Sequence, residues 1–295
     1  MMKKQLGEKM IKYLVIGKKD ELKEIINEIE KKSNGKIIFG DFLNPSPEVF
    51  MEKIKYHDRI LIADPELEIY IKNELEIVKN KGIIINILPE LVEKHLKRIP
   101  LDVLKKFEYY YSEFFLSKKE NRILDLTLAL ISLILTFPLF IIISIINLLT
   151  IGKPIIFKQI RIGKNKEKFL MYKFRTIHNE KVHSFSKFLR KTRLDEIPQF
   201  LNVLKGNMNF IGPRPEMLSF HKMCEEHIDF YNYRLFVKPG ITGWAQVKYK
   251  YTTSLEDYKI KTEYDLYYVK NKNLLLDIKI LLLTFLAIFK DNGSL

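Results

Sequence analysis

The sequence LTLALISLILTFPLFIIISIINLLT, residues 126–150, contains no charged side chain. About twenty consecutive apolar residues are enough for an α-helix to cross the hydrocarbon core of a bilayer, so this stretch predicts a membrane-inserted helix. Because 125 residues precede it, we expect that it is not a secretory signal peptide. The whole chain has 295 residues, which leaves room for two modest domains, one before and one after this helix.

A proline near the middle of the segment, Pro138, leaves two topologies open. Proline removes a backbone N–H group and should bend the helix. The helix can cross the bilayer with a kink, or it can break at Phe137-Pro138 and return to the side from which it entered. Basic residues are typical of cytoplasmic flanks. Because both flanks are basic, both should be cytoplasmic, which favours re-entry but does not exclude a kinked span. The flanking charges are Lys118, Lys119 and Arg122 before the segment and Lys153 and Lys158 after it.

The positive charge of the chain is concentrated just after the apolar segment. Residues 153–195 carry nine lysines, four arginines and three acids, a net charge of +10 out of +14 for the whole chain, whereas residues 1–100 carry 19 basic and 17 acidic side chains. Such a cluster fits phosphate-bearing substrates or an anionic lipid surface. Nucleic acid is the competing partner, and we expect none, because the cluster follows a membrane-length segment and no known nucleic-acid-binding motif is present.

Two adjacent carboxylates, Asp195 and Glu196, close this basic stretch in the sequence TRLDEIPQ, residues 192–199. Asp195 can act as the N-cap of a helix whose first turn tolerates Pro198 and which ends at Gly206. The apolar residues of this helix recur at helical spacing and predict one buried face. That face consists of Ile197, Phe200, Leu201 and Leu204.

Two features of this region indicate phosphate binding. The N-terminus of the predicted helix should present free backbone N–H groups and a positive dipole end. The alternative is that Asp195 and Glu196 only cap the helix. Arg214 is the second feature, because Pro213 and Pro215 fix the backbone on both sides of its guanidinium group. An ordinary proline-rich turn with a solvated arginine is the alternative there.

Three other features of the C-terminal half each allow two interpretations. Trp244 follows a predicted tight loop and can stack on a base or fill the core. The apolar stretch 273–289 is interrupted by charges, which favours an interfacial amphipathic helix over a packed core helix. The single cysteine, Cys224, excludes an internal disulfide and is expected to be an ordinary buried thiol.

The first 100 residues alternate strand-like and helix-like runs, a βαβ pattern that predicts a small parallel sheet. The first turn holds a lone glycine, Gly17, instead of a dinucleotide-binding fingerprint, so a structural or regulatory role is favoured over a catalytic one. Residues 101–121 should form a connector near the membrane surface. The strands are predicted at 12–16, 36–39, 59–62 and 83–87, with helices beginning near Asp20, Glu48 and Glu66.

The motifs after residue 122 closely resemble, in type and order, those of the bacterial sugar transferase family, the monotopic phosphoglycosyl transferases that start the assembly of lipid-linked glycans. The resemblance covers residues 122–284, more than half of the chain. Departures are small: Asn207 and Asn209 stand where Asp and Ser are usual, and Ile177 replaces a common Met. The matching motifs are RILD (122–125), FKQ (157–159) with Arg161 and Gly163, KFRT (173–176), LDEIPQ (194–199), NVL (202–204), GPRP (212–215) and PGITGWAQV (239–247), followed by Asp265, Tyr268 and Leu276-Asp277.

The resemblance implies transfer of a phosphosugar from a UDP-sugar to undecaprenyl phosphate, which gives undecaprenyl-diphosphate-sugar and UMP. Asp195 matches the family's nucleophile, and a carboxylate can attack a phosphoanhydride to form an acyl phosphate. Glu196 matches the second member of the dyad and is expected to help hold Mg²⁺ or to position the lipid phosphate. Phosphate contacts are expected from Arg175, Arg193 and Arg214.

The resemblance also implies a fold and a location. The N-terminal part, residues 1–100, resembles the Rossmann-like α/β domain of longer family members, without the four-helix membrane bundle that precedes it in them. Residues 122–295 should form a mainly α monotopic catalytic domain whose membrane helix, 122–152, is re-entrant. Both domains would lie on the cytoplasmic face of the bacterial inner membrane, and a homodimer is a further expectation. Two other functions stay open, an inactive membrane-tethered scaffold and a glycosyltransferase that releases UDP.

Overall fold

The computed structural model describes residues 10–44, 46–115, 122–177, 182–249 and 253–290. The chain divides into two compact units, Met1–Tyr111 and Ser112–Leu295. Lys118 and Lys119, on which the argument from flanking charge partly rests, lie outside the described residues. The first unit mixes strands and helices, and the second is mainly helical.

A parallel sheet forms the centre of the first unit. Its elements are β1 Ile11–Ile16, α1 Lys19–Lys32, β2 Ile37–Leu43, α2 Pro47–Lys53, β3 Arg59–Ile62, α3 Pro65–Glu68, α4 Lys72–Asn80, β4 Ile84–Ile87, α5 Leu88–Leu96 and α6 Leu101–Lys106, and α7 Glu108–Phe115 crosses the boundary between the units. The four strands pair in the order β2-β1-β3-β4, all in parallel. The predicted small parallel sheet is therefore confirmed, and each strand begins within one residue of its predicted start.

The central strands of this sheet, β1 and β3, are buried on both faces, which explains why they read as continuous apolar runs. Leu14, Ile16, Ile60 and Ile62 are at most 1% exposed, and full burial of such a side chain stabilises the fold by about 1.5–3 kcal/mol. A Cβ atom on Gly17 would lie 3.1 Å from the Cβ of Ala63, the residue that follows β3. The lone glycine of this turn therefore lets the ends of β1 and β3 approach each other.

The second unit consists of one long apolar helix, a β-hairpin, a short strand pair and several other helices. Its elements are α8 Arg122–Thr150, β5 Ile156–Ile162, β6 Lys168–Phe174, α9 Ser184–Lys191, α10 Gln199–Leu204, β7 Asn209–Ile211, α11 Leu218–His227, β8 Gly240–Thr242, α12 Trp244–Lys248, α13 Leu255–Asn271 and α14 Leu274–Lys290. Strands β5 and β6 form the antiparallel hairpin, and β7 and β8 pair in parallel.

The apolar segment forms a continuous helix, α8, of 29 residues with a mean hydropathy of 2.8. Its length and composition are sufficient to cross a membrane. Phe137 and Pro138 lie inside this helix, so a change of direction at this point would be a bend within one helix. The predicted break and the re-entrant topology therefore stay predictions.

One face of α8 packs on the second unit from its first turns to its last. Asp125, Ala129, Ile143 and Asn147 are buried. Ile143 lies about five helical turns after Asp125, and Asn147 lies about five turns after Ala129. Since residues four positions apart also share a face, all four residues lie on one face of the helix. Most of the other side chains are apolar and exposed. The most exposed of these are Ile123, Ile134, Leu135, Phe137 and Leu149.

The structure decides the open alternatives of the C-terminal half. Trp244 is 1% exposed and stacks on Tyr267, so it fills the core. Cys224 is fully buried, and burial raises the pKa of its thiol, as expected of a structural cysteine. Helix α14 buries Asp277 and Ile280, and its opposite face is apolar, as an interfacial helix requires. The exposed residues of that face include Leu275, Ile278, Leu282, Phe285 and Leu286.

Candidate active site

The two carboxylates lie on a tight 3₁₀ turn, Leu194–Glu196, between α9 and α10. Asp195 is therefore not the N-cap of a helix, and this prediction was wrong. Pro198 has no N–H group to donate, and α10 begins only after it, at Gln199. The residue that opens the turn is Arg193, which has a left-handed backbone with φ of 61°.

The predicted phosphate site at the N-terminus of this helix is also wrong. The N–H of Glu196 donates to Arg193 O at 3.1 Å, the N–H of Ile197 donates to Leu194 O at 3.4 Å, and Pro198 has none. The N–H groups of Glu196 and Ile197 are thus used within the turn, and α10 has only six residues. We therefore expect phosphate recognition at this place to come mainly from side chains.

The buried face of α10 is only partly the predicted one. Ile197 is buried, but the predicted Phe200, Leu201 and Leu204 are half-buried. A polar residue, Asn202, is fully buried, as is Val203, and Asn202 binds β6: its Oδ1 accepts from Tyr172 N at 2.9 Å and its Nδ2 donates to Leu170 O at 2.7 Å. The helix ends at Leu204, and Gly206, with φ of 86°, lies just after it as the predicted C-terminal stop.

Glu196 is held by three cationic side chains. Its Oε1 lies 2.6 Å from Lys173 Nζ, 3.3 Å from Arg214 Nη2 and 3.7 Å from Arg193 Nη1. Burial by itself would raise the pKa of Glu196, but Arg214, Lys173 and Arg193 together outweigh it and lower the pKa to about 2. Glu196 is therefore ionised throughout the physiological range.

Asp195 shows the opposite shift. Burial raises the pKa of its carboxyl, the neighbouring Glu196 raises it further, and Lys173, Arg193 and Arg190 only partly offset this. Within the described part of the chain, the Asp195 carboxylate forms no hydrogen bond and no salt bridge. Two adjacent titratable groups whose pKa values move apart are typical of residues with different catalytic roles. Among the described residues, Glu196 has three ion-pair partners and Asp195 has none.

Both carboxylates line a cavity of about 660 Å³, a size within the range of small-molecule sites. Burial lowers the pKa values of Arg161, Lys173 and Arg193, and repulsion from Arg214 adds to this effect. An anionic ligand would relieve that repulsion, so the cavity is suited to a phosphate or diphosphate group. Six cationic side chains line it: Arg161, Lys173, Arg175, Arg190, Arg193 and Arg214.

The structure brings together all five side chains that the sequence assigned to catalysis and phosphate binding. Arg175, Arg193 and Arg214 line the cavity with Asp195 and Glu196. The guanidinium group of Arg175 also donates to two backbone carbonyl groups, at 2.9 and 3.1 Å, so part of its donor capacity holds the local loop. The roles of these residues stay predictions.

Three cationic residues of the cavity were missed: Lys173, Arg161 and Arg190. The hairpin explains the first two. Residue 157 pairs with Lys173, and side chains alternate along a strand, so Phe157, Arg161 and Lys173 share the face that lines the cavity. If the FKQIRIG and KFRT motifs are read as the two strands of one hairpin, the sequence predicts that Arg161 and Lys173 lie on the same face. Arg190 is placed by tertiary contact, since its Nε donates to Thr176 Oγ1 at 2.9 Å.

The backbone that carries Arg214 is fixed by a buried ion pair. Arg234 Nη2 donates to the carbonyl oxygen of Arg214 at 2.8 Å and to Asp265 Oδ2 at 2.7 Å. The side chains of Arg234 and Asp265 are each 2% exposed. A Cβ atom on Gly212 would lie 2.4 Å from Lys238 O, so this chain segment must be glycine to pack so closely. Arg214 is therefore presented by tertiary packing as well as by its two flanking prolines.

The start of α8 is joined to the end of α10 by Arg122. Its guanidinium group donates to Val203 O, to Leu204 O at 3.2 Å and to Met208 O at 3.3 Å. Asp125 one turn later accepts from the N–H of Phe210 at 2.7 Å. Helix α8 thus caps the helix that follows the carboxylate pair.

We expect Arg122→Ala to lower the free energy of unfolding by about 1–3 kcal/mol, because buried carbonyl groups lose a charged donor. Thermal unfolding of the protein in detergent measures the change as a lower melting temperature. Ile123→Ala is the control, since Ile123 is exposed. Equal melting temperatures for the two variants would show that the clamp contributes no stability.

A divalent metal ion can be tested against these residues. Among the described residues, no group of three or more His, Cys, Asp or Glu side chains could hold a metal ion. Mg²⁺ commonly binds through one or two carboxylates, with substrate phosphates and water completing its shell. Asp195 and Glu196 fit this mode and do not fit a site made of protein ligands alone.

The chain belongs to the bacterial sugar transferase family, whose model matches residues 116–291. The UDP-N-acetylgalactosamine-undecaprenyl-phosphate N-acetylgalactosaminephosphotransferase of Aeromonas hydrophila is 40% identical over 188 residues, 59% of this chain and 44% of that protein. The UDP-glucose:undecaprenyl-phosphate glucose-1-phosphate transferase of Escherichia coli K12 is 36% identical, over 58% of this chain and 40% of that protein. The uncharacterized sugar transferase EpsL of Bacillus subtilis is 36% identical, over 89% of its length. The chain thus matches less than half the length of the two relatives with a named reaction.

Proposed function

We propose that this protein transfers a phosphosugar from a UDP-sugar to undecaprenyl phosphate, producing undecaprenyl-diphosphate-sugar and UMP, as the first step of assembling an exopolysaccharide, O-antigen or glycoprotein glycan. The observation that carries the proposal is the cationic cavity around Asp195 and Glu196, whose pKa values are shifted in opposite directions. The named relatives use undecaprenyl phosphate and transfer a phosphosugar. Because the chain belongs to the same family as these relatives, we assign the same general reaction to this site.

In the first step, an oxygen of the Asp195 carboxylate attacks the sugar-bearing phosphorus of the diphosphate. A new P–O bond to Asp195 forms as the bond from this phosphorus to the bridging oxygen breaks, and UMP leaves with that oxygen. In the second step, a phosphate oxygen of the lipid attacks the same phosphorus. The bond to Asp195 then breaks, and the free carboxylate is restored. No net proton is required in either step.

The cationic side chains would reduce the electrostatic repulsion between the attacking carboxylate and the diphosphate, which is the main obstacle to this reaction. Lys173, Arg193 and Arg214 surround Glu196 and leave positive charge facing the cavity. In a site shielded from water, fixed charges of this kind act more strongly than in solution. Glu196 would hold Mg²⁺ together with the substrate phosphates, and the ion would supply further neutralisation of the diphosphate charge.

The packing of α8 supports the re-entrant topology and a monotopic protein on the cytoplasmic face of the bacterial inner membrane. Arg122 at its start bonds to Leu204 O, and Asn147 near its end donates to Arg175 O at 3.1 Å. A helix that spans a bilayer would carry one of these ends away from the unit.

The same proposal includes a division of the chain into residues 1–100, a connector 101–121 and a catalytic domain 122–295. It also includes a homodimer and no nucleic acid as a partner.

We expect both flanks of α8 to face the same compartment. Cysteine introduced at the exposed residues Glu113 and Lys153, in a Cys224→Ser background, should resist an impermeant thiol reagent applied to intact cells. Both should react equally after the cells are permeabilised. Labelling of one flank but not the other in intact cells would establish a membrane-spanning helix.

The function itself is tested with the purified full chain, undecaprenyl phosphate, Mg²⁺ and a panel of UDP-sugars. Release of UMP together with a diphosphate-linked lipid is the expected result. Release of UDP would identify a glycosyltransferase instead. A folded protein that releases neither nucleotide with any UDP-sugar would fit the inactive scaffold.

A further inference from the structure

A second cavity adjoins the charged one and has the opposite character. It encloses about 340 Å³ among residues of α8, α10 and α14. Arg193 and Glu196 line both cavities, so this second one ends at the charged site. The walls of this apolar groove are formed mainly by Phe200, Phe210, Ile241, Leu281 and Phe285, with Thr136 of α8.

The walls of the apolar groove offer hydrophobic contact more than hydrogen bonds. The rings of Phe200 and Phe210 stack with their centroids 5.7 Å apart. The hydroxyl groups of Thr242 and Thr284, which reach the groove, lie 2.7 Å apart and are bonded to each other. Arg193 is the cationic side chain of this largely hydrophobic groove, whose lining also includes Glu196 and Gln246.

The groove lies between residues of two helices whose outer faces are apolar. Phe285 of α14 is 61% exposed, and Phe137 of α8, next to the groove residue Thr136, is 56% exposed. Both helices carry the surfaces that would enter a membrane or lie on it. A ligand that fits the groove and its charged end is an amphiphile with an anionic head and a hydrocarbon chain.

Resting on the function proposed above, we propose that the apolar groove binds the head end of the polyprenyl chain of the acceptor, with the acceptor phosphate at Arg193. The volume of 340 Å³ is near the lower end of the range for ligand pockets, about 300–1,000 Å³. The groove therefore holds only the first isoprene units, and the rest of the chain stays in the bilayer. The polar UDP-sugar occupies the charged cavity, so donor and acceptor reach the carboxylate pair through separate cavities.

Leu281 and Leu282 provide a matched pair of variants on α14. Leu281 is half-buried and lines the groove, whereas Leu282 is 62% exposed and does not. Leu281→Trp should fill the groove and raise the KM for undecaprenyl phosphate at least about tenfold, which corresponds to about 1.4 kcal/mol of binding free energy. The KM for the UDP-sugar should stay within about twofold, since that substrate uses the other cavity. Leu282→Trp should change neither value, because tryptophan is common at membrane interfaces.

Phe285→Ala tests the same wall with a smaller risk to folding, because Phe285 is mostly exposed. It too should raise the KM for undecaprenyl phosphate and leave the KM for the UDP-sugar unchanged. Equal KM values for undecaprenyl phosphate in Leu281→Trp, Leu282→Trp and wild type would overturn the proposal. A groove that holds an acyl chain of bulk phospholipid would also overturn it, and would appear as a lower melting temperature or kcat of Leu281→Trp with no change in that KM.

A half-reaction separates the failure of this inference from the failure of the proposed function. Exchange of labelled UMP into the UDP-sugar needs no lipid, so Leu281→Trp should retain it at the wild-type rate. If wild type forms no UMP with any UDP-sugar, the proposed function is wrong. If wild type turns over and the groove variants bind undecaprenyl phosphate normally, only the groove assignment is wrong.

Discussion

Replacement of Asp195 by Asn is expected to lower turnover by at least about a thousandfold, because losing a covalent nucleophile typically removes several powers of ten from kcat. Asparagine keeps the shape of the side chain. Within the described residues, the carboxylate of Asp195 forms no hydrogen bond or salt bridge that the variant would break. The fold and membrane insertion should therefore survive. UMP release measures turnover, and a melting curve in detergent checks the fold.

The matched control is Asp20→Asn, which neutralises an exposed carboxylate of the first unit and should leave turnover unchanged. The lipid-free exchange of labelled UMP into UDP-sugar should disappear in Asp195→Asn, since this exchange depends on the covalent intermediate. An Asp195→Asn protein that retains more than about a tenth of wild-type turnover would exclude Asp195 as the nucleophile, because tenfold is only about 1.4 kcal/mol of barrier.

The raised pKa of Asp195 predicts the direction of the pH dependence. Burial and the adjacent Glu196 make the folded protein hold a proton on Asp195 more tightly than an exposed aspartate does. In the proposed mechanism the attacking group is the ionised form of Asp195, so kcat should fall as the pH decreases through this raised pKa. For stability the sign is opposite: ionisation of Asp195 above its unfolded pKa costs folding free energy. Glu196, with its pKa near 2, contributes nothing to this profile at ordinary pH.

The fold was predictable where the signal is local. An uncharged run of 25 residues can satisfy its environment only in a membrane or a large core, and α8 contains all of it. The four strands of the first unit are short, mainly apolar runs, and each begins within one residue of its predicted start. In both cases the side chains of one short segment determine the structure of that segment.

The parts that were not predictable depend on contacts between distant residues. Asp195 reads as a helix N-cap, but Pro198 and the left-handed Arg193 convert the segment into a 3₁₀ turn. The clamp of Arg234 on Arg214 O spans 20 residues, and its ion pair with Asp265 spans 31. No periodicity or spacing in the sequence shows such contacts. The sequence identified the arginine at the site, and only the structure shows what holds it in place.

The pair of carboxylates illustrates how one short turn creates two different chemical groups. Asp195 and Glu196 are adjacent in sequence and both are buried, so burial acts on both in the same direction. The difference comes from the cations: three of them lie within 4 Å of a Glu196 oxygen, whereas no salt bridge to Asp195 exists among the described residues. Glu196 is thus a permanent counter-charge, and Asp195, the proposed nucleophile, is made more basic by its surroundings.

Glu196→Gln is therefore expected to have the second largest effect on activity. Glutamine keeps the length of the side chain and can still accept from Lys173, but it leaves three half-buried cations without the buried counter-charge of Glu196. Breaking a buried ion pair by removing one partner typically costs about 3–5 kcal/mol. If about 2.7 kcal/mol of this cost appears as lost stabilisation of the transition state, kcat falls about a hundredfold. The Mg²⁺ concentration needed for half-maximal activity should rise, since one carboxylate ligand is lost.

Glu225→Gln is the matched control, because Glu225 also pairs with a lysine, Lys166, but is more exposed than Glu196 and does not line the cavity. Surface pairs contribute little, about 0–1 kcal/mol, so this variant should keep wild-type kcat and the wild-type Mg²⁺ requirement. Titration of UMP release against Mg²⁺ measures both quantities for each protein. If Glu196→Gln keeps kcat within about threefold and the same Mg²⁺ requirement, then Glu196 is neither the counter-charge of the site nor a metal ligand. The three cations around it would then act on the diphosphate without Glu196, and Asp195 would remain as the one essential carboxylate.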